Sequence, residues 1–600
     1  MAQSTPYPPF ALCAWVSILI TLDLLYNRIL RPVLQWLPPE TTGRQWVHMM
    51  KTVAALVIGV WGAATIMGSA ADTVYQGLIG HWTLDKDFQD VSDNHLVTQN
   101  RGVSFGQRGA GTFSGRGALL EVADTPALNF GIGDFSVAAW ANLDQTPDDA
   151  LGDIVSKYDP VARRGFHVSV LNLTGVTSSH SNYRTLHFGI DNAREPAWAD
   201  CGRPGNNLLV CALTVFDDNL YAGTFEAGED EAGHVYRYDA GDRWVDCGAP
   251  DPCNAVATLA VYQGKLYAGV ARYKAGGSAL PDSPNQHPGG KVYRYEGGNT
   301  WVDCGRLGDA DTAWAMAVHD GVLYAIPIYQ QGMWRYDGGR TWTYCGTPGV
   351  RLMALGVFDG RLYGAGNEGN KQGGVYRYEG GTDWTLCGRQ TGVDQVYSFA
   401  AYEGRLYAGT WPDATAFRYD GGETWPSCGR LGQENEVMAM AVYNGKLYAG
   451  SLPLAEVYRY DSGATWTRMA RLDMTPDVKY RRVWSMAVFQ GKLFCGTLPS
   501  GRVYSMEAGA NVTYDRALGS GWRHVAAARQ GGRLILYVDG TQVGTSPEFD
   551  SAEFDLTCAS PLRIGLGAHD YFNGWMRDVR IYNRALEPSE AAALAAAGKS

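Results

Sequence analysis

The 600-residue sequence predicts an all-β protein: a jelly-roll sandwich interrupted by a seven-bladed β-propeller and preceded by a hydrophobic N-terminal segment. Three observations predict it. One nine-residue phrase is written six times between residues 236 and 466. Two non-repetitive stretches flank that array, and each carries a strand pattern that is incomplete alone. The composition, with 75 Gly, 34 Tyr and 19 Trp, favours short strands and tight turns over helices. The net charge is −11 with no Lys/Arg run, which argues against a phosphate-tracking nucleic-acid surface.

The N-terminal region, residues 1–71, reads two ways. Residues 52–70 (TVAALVIGVWGAATIMGSA) carry no charge and match a membrane span of ~20 residues. They also match a signal peptide: Lys51 in front, an apolar run, then Ser69 and Ala71 before Asp72. Met49 and Met50 sit just upstream as alternative starts. The competing reading keeps residues 1–48 and makes Phe10–Leu37, broken by Asp23, Arg28 and Arg31, a second apolar segment. Arg44 and Lys51 precede the uncharged run, so positive-inside logic exports the C-terminal part either way. The expected location is secreted or periplasmic, or membrane-anchored with the C-terminal domains outside the cytoplasm. Membrane contact is expected only through this segment.

The propeller is expected over residues 193–509. Its repeat unit is seen in residues 438–466, MAMAVYNGKLYAGSLPLAEVYRYDSGATW. The "KLYAG" kernel recurs at Leu220, Leu266, Leu323, Leu362, Leu406, Leu447 and Leu493. Trp198, Trp244, Trp301, Trp342, Trp384, Trp425 and Trp466 follow at intervals of 41–46 residues, with one of 57. Self-similarity at this period means an array or a propeller. Each unit offers four short strands, the first two joined by a pair such as Asn444-Gly445 that supplies the positive φ of a two-residue hairpin. The array opens with an orphan fourth strand at Trp198–Cys201 and ends at Val503–Met506 without one. The N-terminal strand should therefore complete the seventh blade and close the ring.

The phrases DGGRTW, DGGETW and DSGATW resemble the Asp-box of sialidase-type propellers, in an array that is also kelch-like. That resemblance implies a structural turn between third and fourth strands. The residues agree: Asp can bond its own backbone, Gly takes the left-handed position, and Trp wedges between blades. An Arg recurs six times at one blade position (237, 294, 335, 377, 418 and 459), which points to pairing with the turn carboxylate rather than to catalysis.

The jelly roll is expected as two halves, residues 72–192 and 510–600. The first contains HWTLD, LEVADTPAL and GDFSVAAW; the second contains WRHVA, LYVDG and DVRIYNRAL. Together they resemble the laminin-G-like, concanavalin-A-like lectin/glucanase family over about a third of the chain. Neither half has strands enough for two packed sheets. A closed propeller has neighbouring termini and can be inserted into a loop of another domain. On this reading, residues 193–509 alone should give a soluble propeller.

Candidate sites follow. Asp85, Asp87, Asp90 and Asp93 crowd one jelly-roll loop, and such oxygen clusters suit calcium, the one cofactor considered. The alternative is a solvated acidic turn. Six of eleven cysteines recur at Trp-x-x-Cys, which reads as small apolar filler. Extra cysteines leave Cys201–Cys211 and Cys247–Cys253 open as bridges in an exported protein. No strict zinc, Ser-hydrolase or phosphate-loop motif is present.

The turns between first and second and between third and fourth strands share one face and are uniform. The connections on the opposite face vary: FEAGEDEAG in the first blade, residues 271–290 in the second, residues 473–484 before the last. Function usually resides in such loops. The ligand-binding residues expected there are Tyr273, Trp314, Asp394, Trp411, Tyr480, Arg481 and Arg482. The leading expectation is non-catalytic recognition of a glycan or another cell-surface ligand. The runner-up is a glycan-cleaving enzyme, sialidase-like or another glycoside hydrolase, with the jelly roll as accessory. No catalytic pair can be named from sequence, and the balance leans away from an enzyme.

Overall fold

The computed structural model describes residues 73–106, 109–143 and 152–598. The hydrophobic segment expected in residues 1–71 lies outside the described residues. Among those described, no helix is long and apolar enough to cross a membrane.

The jelly roll interleaves the two ends of the chain. In one sheet, Asn573–Tyr582 lies between Gly111–Ser114 and Phe135–Asn142, and Trp522–Gln530 pairs with the far side of Phe135–Asn142. In the other, Leu562–Ile564 lies between Leu119–Val122 and Asp153–Asp159. Without the later strands, the earlier ones face missing neighbours in both layers. The core is shared in the same way. Phe113, Phe135, Phe166 and Phe188 pack in one cluster with Leu534, Leu536, Ile564, Phe572 and Ile581. Each such side chain contributes about 1.5–3 kcal/mol on burial.

The propeller occupies one connection of this sandwich. Asn182–Asn192 and Ala510–Tyr514 pair antiparallel, Ile190 opposite Ala510, so the insertion replaces the loop of a hairpin. Seven blades follow, each of four antiparallel strands; Glu436–Tyr443, Lys446–Leu452, Glu456–Ser462 and Thr465–Arg471 form the sixth. The ring is closed by Trp198–Asp200 pairing with Val503–Met506, with Trp198 opposite Met506. In the inner hairpins both turn residues have positive φ, as at Asn444 (40°) and Gly445 (80°).

The repeated phrase is joinery. The indole Nε1 of Trp384 donates to the carbonyl of Cys345 in the preceding blade at 3.1 Å. Trp244, Trp301, Trp342, Trp425 and Trp466 make the same bond to Cys201, Cys247, Cys304, Cys387 and Cys428. The phrase's second Tyr donates to a turn glycine carbonyl, as Tyr336 does to Gly339 at 2.9 Å. The recurring Arg pairs with the turn carboxylate, as in Arg335–Asp337 and Arg418–Asp420, both 2.9 Å. Arg459 also reaches Glu195 at 2.7 Å, and Glu195 is held by Arg163 at 3.0 Å, which pins the insertion junction.

All four cysteines considered for bridges are free and buried, so Cys201–Cys211 and Cys247–Cys253 are not formed. Cys201 packs in the joint between the last and first blades, whereas Cys211 faces the axis. Cys247 and Cys253 fill one interblade core, where burial pushes both thiols up. They are apolar filler.

The main departure from expectation is on the propeller axis. The jelly-roll hairpin Arg164–Leu173/Asn182–Asn192 drives its tip, residues 174–181, into the ring. Val176 through Ser181 are each at most 1% exposed. The tip bonds inner strands around the circle. Thr214 Oγ1 donates to His180 O and Thr258 Oγ1 to Ser178 O. The amides of Met316, Val357 and Phe399 donate to Ser178 O, Thr174 Oγ1 and Gly175 O. Thr177 Oγ1 donates to Trp484 O at 2.7 Å. Toward the sixth blade, Val176 packs with Ala439 and Ala441. A polar tip suits this place because the inner strands are bulged there, at Cys211, Ala257, Tyr397 and Trp484. Bulges leave backbone groups outside the ladder, and hydroxyls can satisfy them. The propeller's axis is therefore filled by a segment that lies outside residues 193–509.

Two outcomes follow. Trp198 Nε1 is buried without a hydrogen-bond partner, unlike the indoles of the other six joints, and Met469 stands where those joints have cysteine. Trp384→Phe should cost about 1–3 kcal/mol more in urea unfolding than Trp198→Phe, since only the former orphans a carbonyl. His180 donates from Nε2 toward Asn172 Oδ1 at 2.8 Å, and burial lowers its pKa to about 3. Its neutral form is favoured in the fold, so its stability contribution is complete above pH ~6.5 and falls by up to about 1.4 kcal/mol per pH unit below that. His180→Gln keeps a donor and cannot ionise. The stability-versus-pH slope from pH 6.5 to 5 should flatten in the variant; equal slopes would contradict this.

Candidate functional site

The jelly roll sits on the face that carries the uniform turns. Arg116 pairs with Asp359, Asn444 bonds Ile190, and Glu403 N donates to Ala568 O at 2.8 Å. The variable face is the propeller's free face, and its centre has a definite construction.

Each inner strand places one residue at the same level of the axis: Cys211, Ala257, Trp314, Met353, Tyr397, Met438 and Trp484. These seven share one apolar cluster. In six of the seven inner strands a register irregularity re-aims this position inward, and in the third blade Trp314 lies just ahead of the strand Ala315–His319. The hairpin tip lies beneath the ring, as the Thr177–Trp484 bond shows. Above it, the second blade's long connection folds inward through a short 3₁₀ turn, Ala275–Ser278, and adds Tyr273 and Ala275 to the cluster. Tyr273 stacks on Trp314 at 5.7 Å, and Trp314 meets Trp484 edge-on at 6.0 Å. The indole nitrogens of Trp314 and Trp484 are buried without partners.

One ion pair crosses this cluster. Arg482 Nε lies 3.1 Å from Glu436 Oε1, and both side chains are at least nine-tenths buried. Arg482 Nη1 donates to Ser278 Oγ at 2.5 Å, tying the cap to the last blade. Its guanidinium also lies over Trp484 and Tyr480, at 5.4 and 5.5 Å. Burial pushes the Glu436 carboxyl up against the pull of Arg482. Removing one partner of such a pair costs about 3–5 kcal/mol.

The expected ligand residues thus divide. Tyr273, Trp314 and Arg482 build the closed centre. Asp394, Trp411, Tyr480 and Arg481 remain partly exposed around it. Asp394 N donates to Trp411 O at 3.0 Å, which makes those two adjacent. Arg481 is braced by Thr475 O at 2.6 Å, and Tyr480 lies under Lys479 at 4.8 Å. The two pairs flank the sixth blade. Sequence reasoning missed Trp484, Tyr397 and Glu436. For Trp484 and Tyr397 the signal was present in "VWSMAV" and "VYSFAA", set against "VMAMAV": one residue varies freely inside an otherwise constant strand, and Glu436 stands one residue ahead of the last phrase.

The aspartate loop behaves differently. The Asp90 carboxylate is buried and accepts from His81 N, Ser92 N, Ser92 Oγ and Leu96 N. Asp85 accepts from Thr83, and Asp87 from Gln89 N. Among the described residues, no three of Asp85, Asp87, Asp90 and Asp93 converge within ion-binding reach. Asp90 and Asp87 organise the loop backbone through these bonds.

Glu226 opens the first blade's acidic loop. It is 3% exposed, Thr224 Oγ1 donates to its Oε1 at 3.0 Å, and its Oε2 has no partner. Burial pushes this carboxyl up to about 7. A raised carboxyl pKa gives stability that is complete below ~4.5 and lost as pH rises through 7. Glu226→Gln should therefore raise the unfolding free energy by about 1–3 kcal/mol at pH 8 and by under ~0.5 kcal/mol at pH 4.5. Denaturant titrations at the two pH values check this.

Residues 482–592 match the family of concanavalin A-like lectin/glucanases, a span that begins in the last blade and runs through the second jelly-roll half. No curated protein matches the chain. Among solved structures, a catalytically inactive virginiamycin B lyase from Staphylococcus aureus is 10% identical, with 52% of this chain and 99% of that one covered and a TM-score of 0.38. The WD40 β-propeller domain of Doa1 is 11% identical, over 52% and 97%, with a TM-score of 0.35. The extracellular domain of a one-component system from B. thetaiotaomicron is 12% identical, over 57% and 46%, with a TM-score of 0.37. At these scores the likenesses carry no functional argument. The chain is a two-sheet β-sandwich with a seven-bladed β-propeller set into one of its hairpins, and its residues 482–592 are similar to the concanavalin A-like lectin/glucanases.

Proposed function

We propose that this is an exported, non-catalytic recognition protein that binds carbohydrate on the free face of its propeller. The observation that carries the reading is the division of faces. The jelly roll covers the uniform-turn face and its hairpin fills the axis, which leaves the variable face for a ligand. Trp411 and Tyr480 offer aromatic platforms, with Asp394 and Arg481 beside them, and such sets suit sugar rings. The matched family supports carbohydrate at the level of class. Export rests on the charge asymmetry around residues 52–70.

One observation favours the second reading, glycan cleavage. Glu226 holds a proton near neutral pH, as a general acid must. It lies buried in its loop, which weighs against that role.

A glycan array on the full chain, with a panel of fluorogenic glycosides, tests both. Trp411→Ala and Arg481→Ala should each weaken the best ligand by about 10-fold or more, consistent with ~1.4 kcal/mol per contact residue. Asp337→Ala, on the uniform-turn face, should leave binding intact. Binding unaffected by the first two, and lost on changing Tyr571 in the cleft lined by Arg116, Asp359 and Tyr571, would move the site to the seam. Turnover abolished by Glu226→Gln would establish the enzyme instead.

A further inference from the structure

A second constellation lies far from the free face, where the jelly roll meets the sixth blade. Asp153, His167 and His569 are buried, and one ligand-type atom of each lies within 4.8 Å of the others. Asp153 and His167 come from the first jelly-roll half and His569 from the second. The His569 amide donates to Asp153 Oδ2 at 2.9 Å, and its Nδ1 lies 3.4 Å from Oδ1. That separation is close to the ligand–ligand edge of a tetrahedral site with ~2.0–2.1 Å bonds.

The hydrogen-bond count is short by one cation. Asn444 Nδ2 donates to Ile190 O at 3.1 Å and to Ala508 O at 2.6 Å, so its Oδ1 is an acceptor. That oxygen is 2.9 Å from His167 Nε2, which must carry the proton. A neutral His167 then presents a lone pair at Nδ1. This lone pair faces Ser169 Oγ at 3.0 Å, and Ser169 Oγ also contacts Asp153 Oδ1. One hydroxyl proton cannot serve both acceptors. His569 Nε2 is also buried without a partner. An acceptor-rich, buried cluster of two imidazoles and a carboxylate is the donor set of a divalent transition metal.

We propose that Asp153, His167 and His569 bind one divalent ion of the zinc class. Ser169 or a water stands in the fourth position, and Asn444 is the outer partner that fixes the His167 tautomer. Asn444 belongs to the propeller's sixth blade, so the ion would lock the two jelly-roll halves and the propeller at one point. Such outer partners are a regular part of histidine metal sites.

The full chain, stripped with chelator and dialysed, is titrated with Zn²⁺ by calorimetry and with Co²⁺ by visible absorption. One equivalent should bind, with the d–d bands of four-coordinate cobalt and a higher melting temperature. Asp153→Asn and His569→Gln should each lose that equivalent, and His234→Gln, a surface histidine paired with Asp246, should retain it. If the first two variants do not fold, the wild-type titration decides alone. Absence of a stoichiometric site in the folded wild type overturns the proposal. Retention of the equivalent in both variants overturns it too.

Discussion

A ring of seven blades leaves a hole along its axis, and the whole architecture turns on how that hole is filled. Here the filler is the tip of a hairpin from the other domain, topped by a ring of side chains from the blades. Residues 174–181 place hydroxyls and backbone groups against inner strands that are bulged at the same level. The bulges need partners outside the ladder, and the tip needs partners away from water. Each supplies what the other lacks, so the two modules pack as one compact unit.

The same arrangement sets the chemistry of the free face. The tip supports the ring of bulge residues from below, so Trp314 and Trp484 cannot sink into a channel. The second blade's connection closes it from above, and the Arg482–Glu436 pair with Ser278 locks that closure. The centre becomes a buried hub, and the groups left for a ligand stand on its rim. A through-channel, which many ring-shaped proteins use for access, is absent along the described axis.

Much of this was legible in the sequence, for physical reasons. Blade number, turn chemistry and ring closure follow from short-range rules that each repeat obeys independently, and Trp198 announced the closing strand. The split jelly roll was legible because its two halves carry separate strand phrases. The hairpin tip was not. "TGVTSSHS" reads as an ordinary polar loop, and only a partner surface elsewhere in the chain makes it core. Asp153, His167 and His569 were invisible for the same reason: no local spacing links residues that topology alone brings together. Trp484 and Glu436 were overlooked inside strands that looked purely structural.

The order in which the chain is made gives the inserted hairpin a further meaning. The ribosome completes residues 73–192 and must then add about 330 more before Trp522 can join its sheet. At about 5–20 residues per second, the first jelly-roll strands wait roughly 15–65 s with open edges. During that interval the tip at 174–181 has already been synthesised, ahead of every blade. It can serve as a mandrel on which the blades are wound, each new inner strand finding a hydroxyl or carbonyl already in position. The jelly roll then closes last, around an object that its own first half helped to shape.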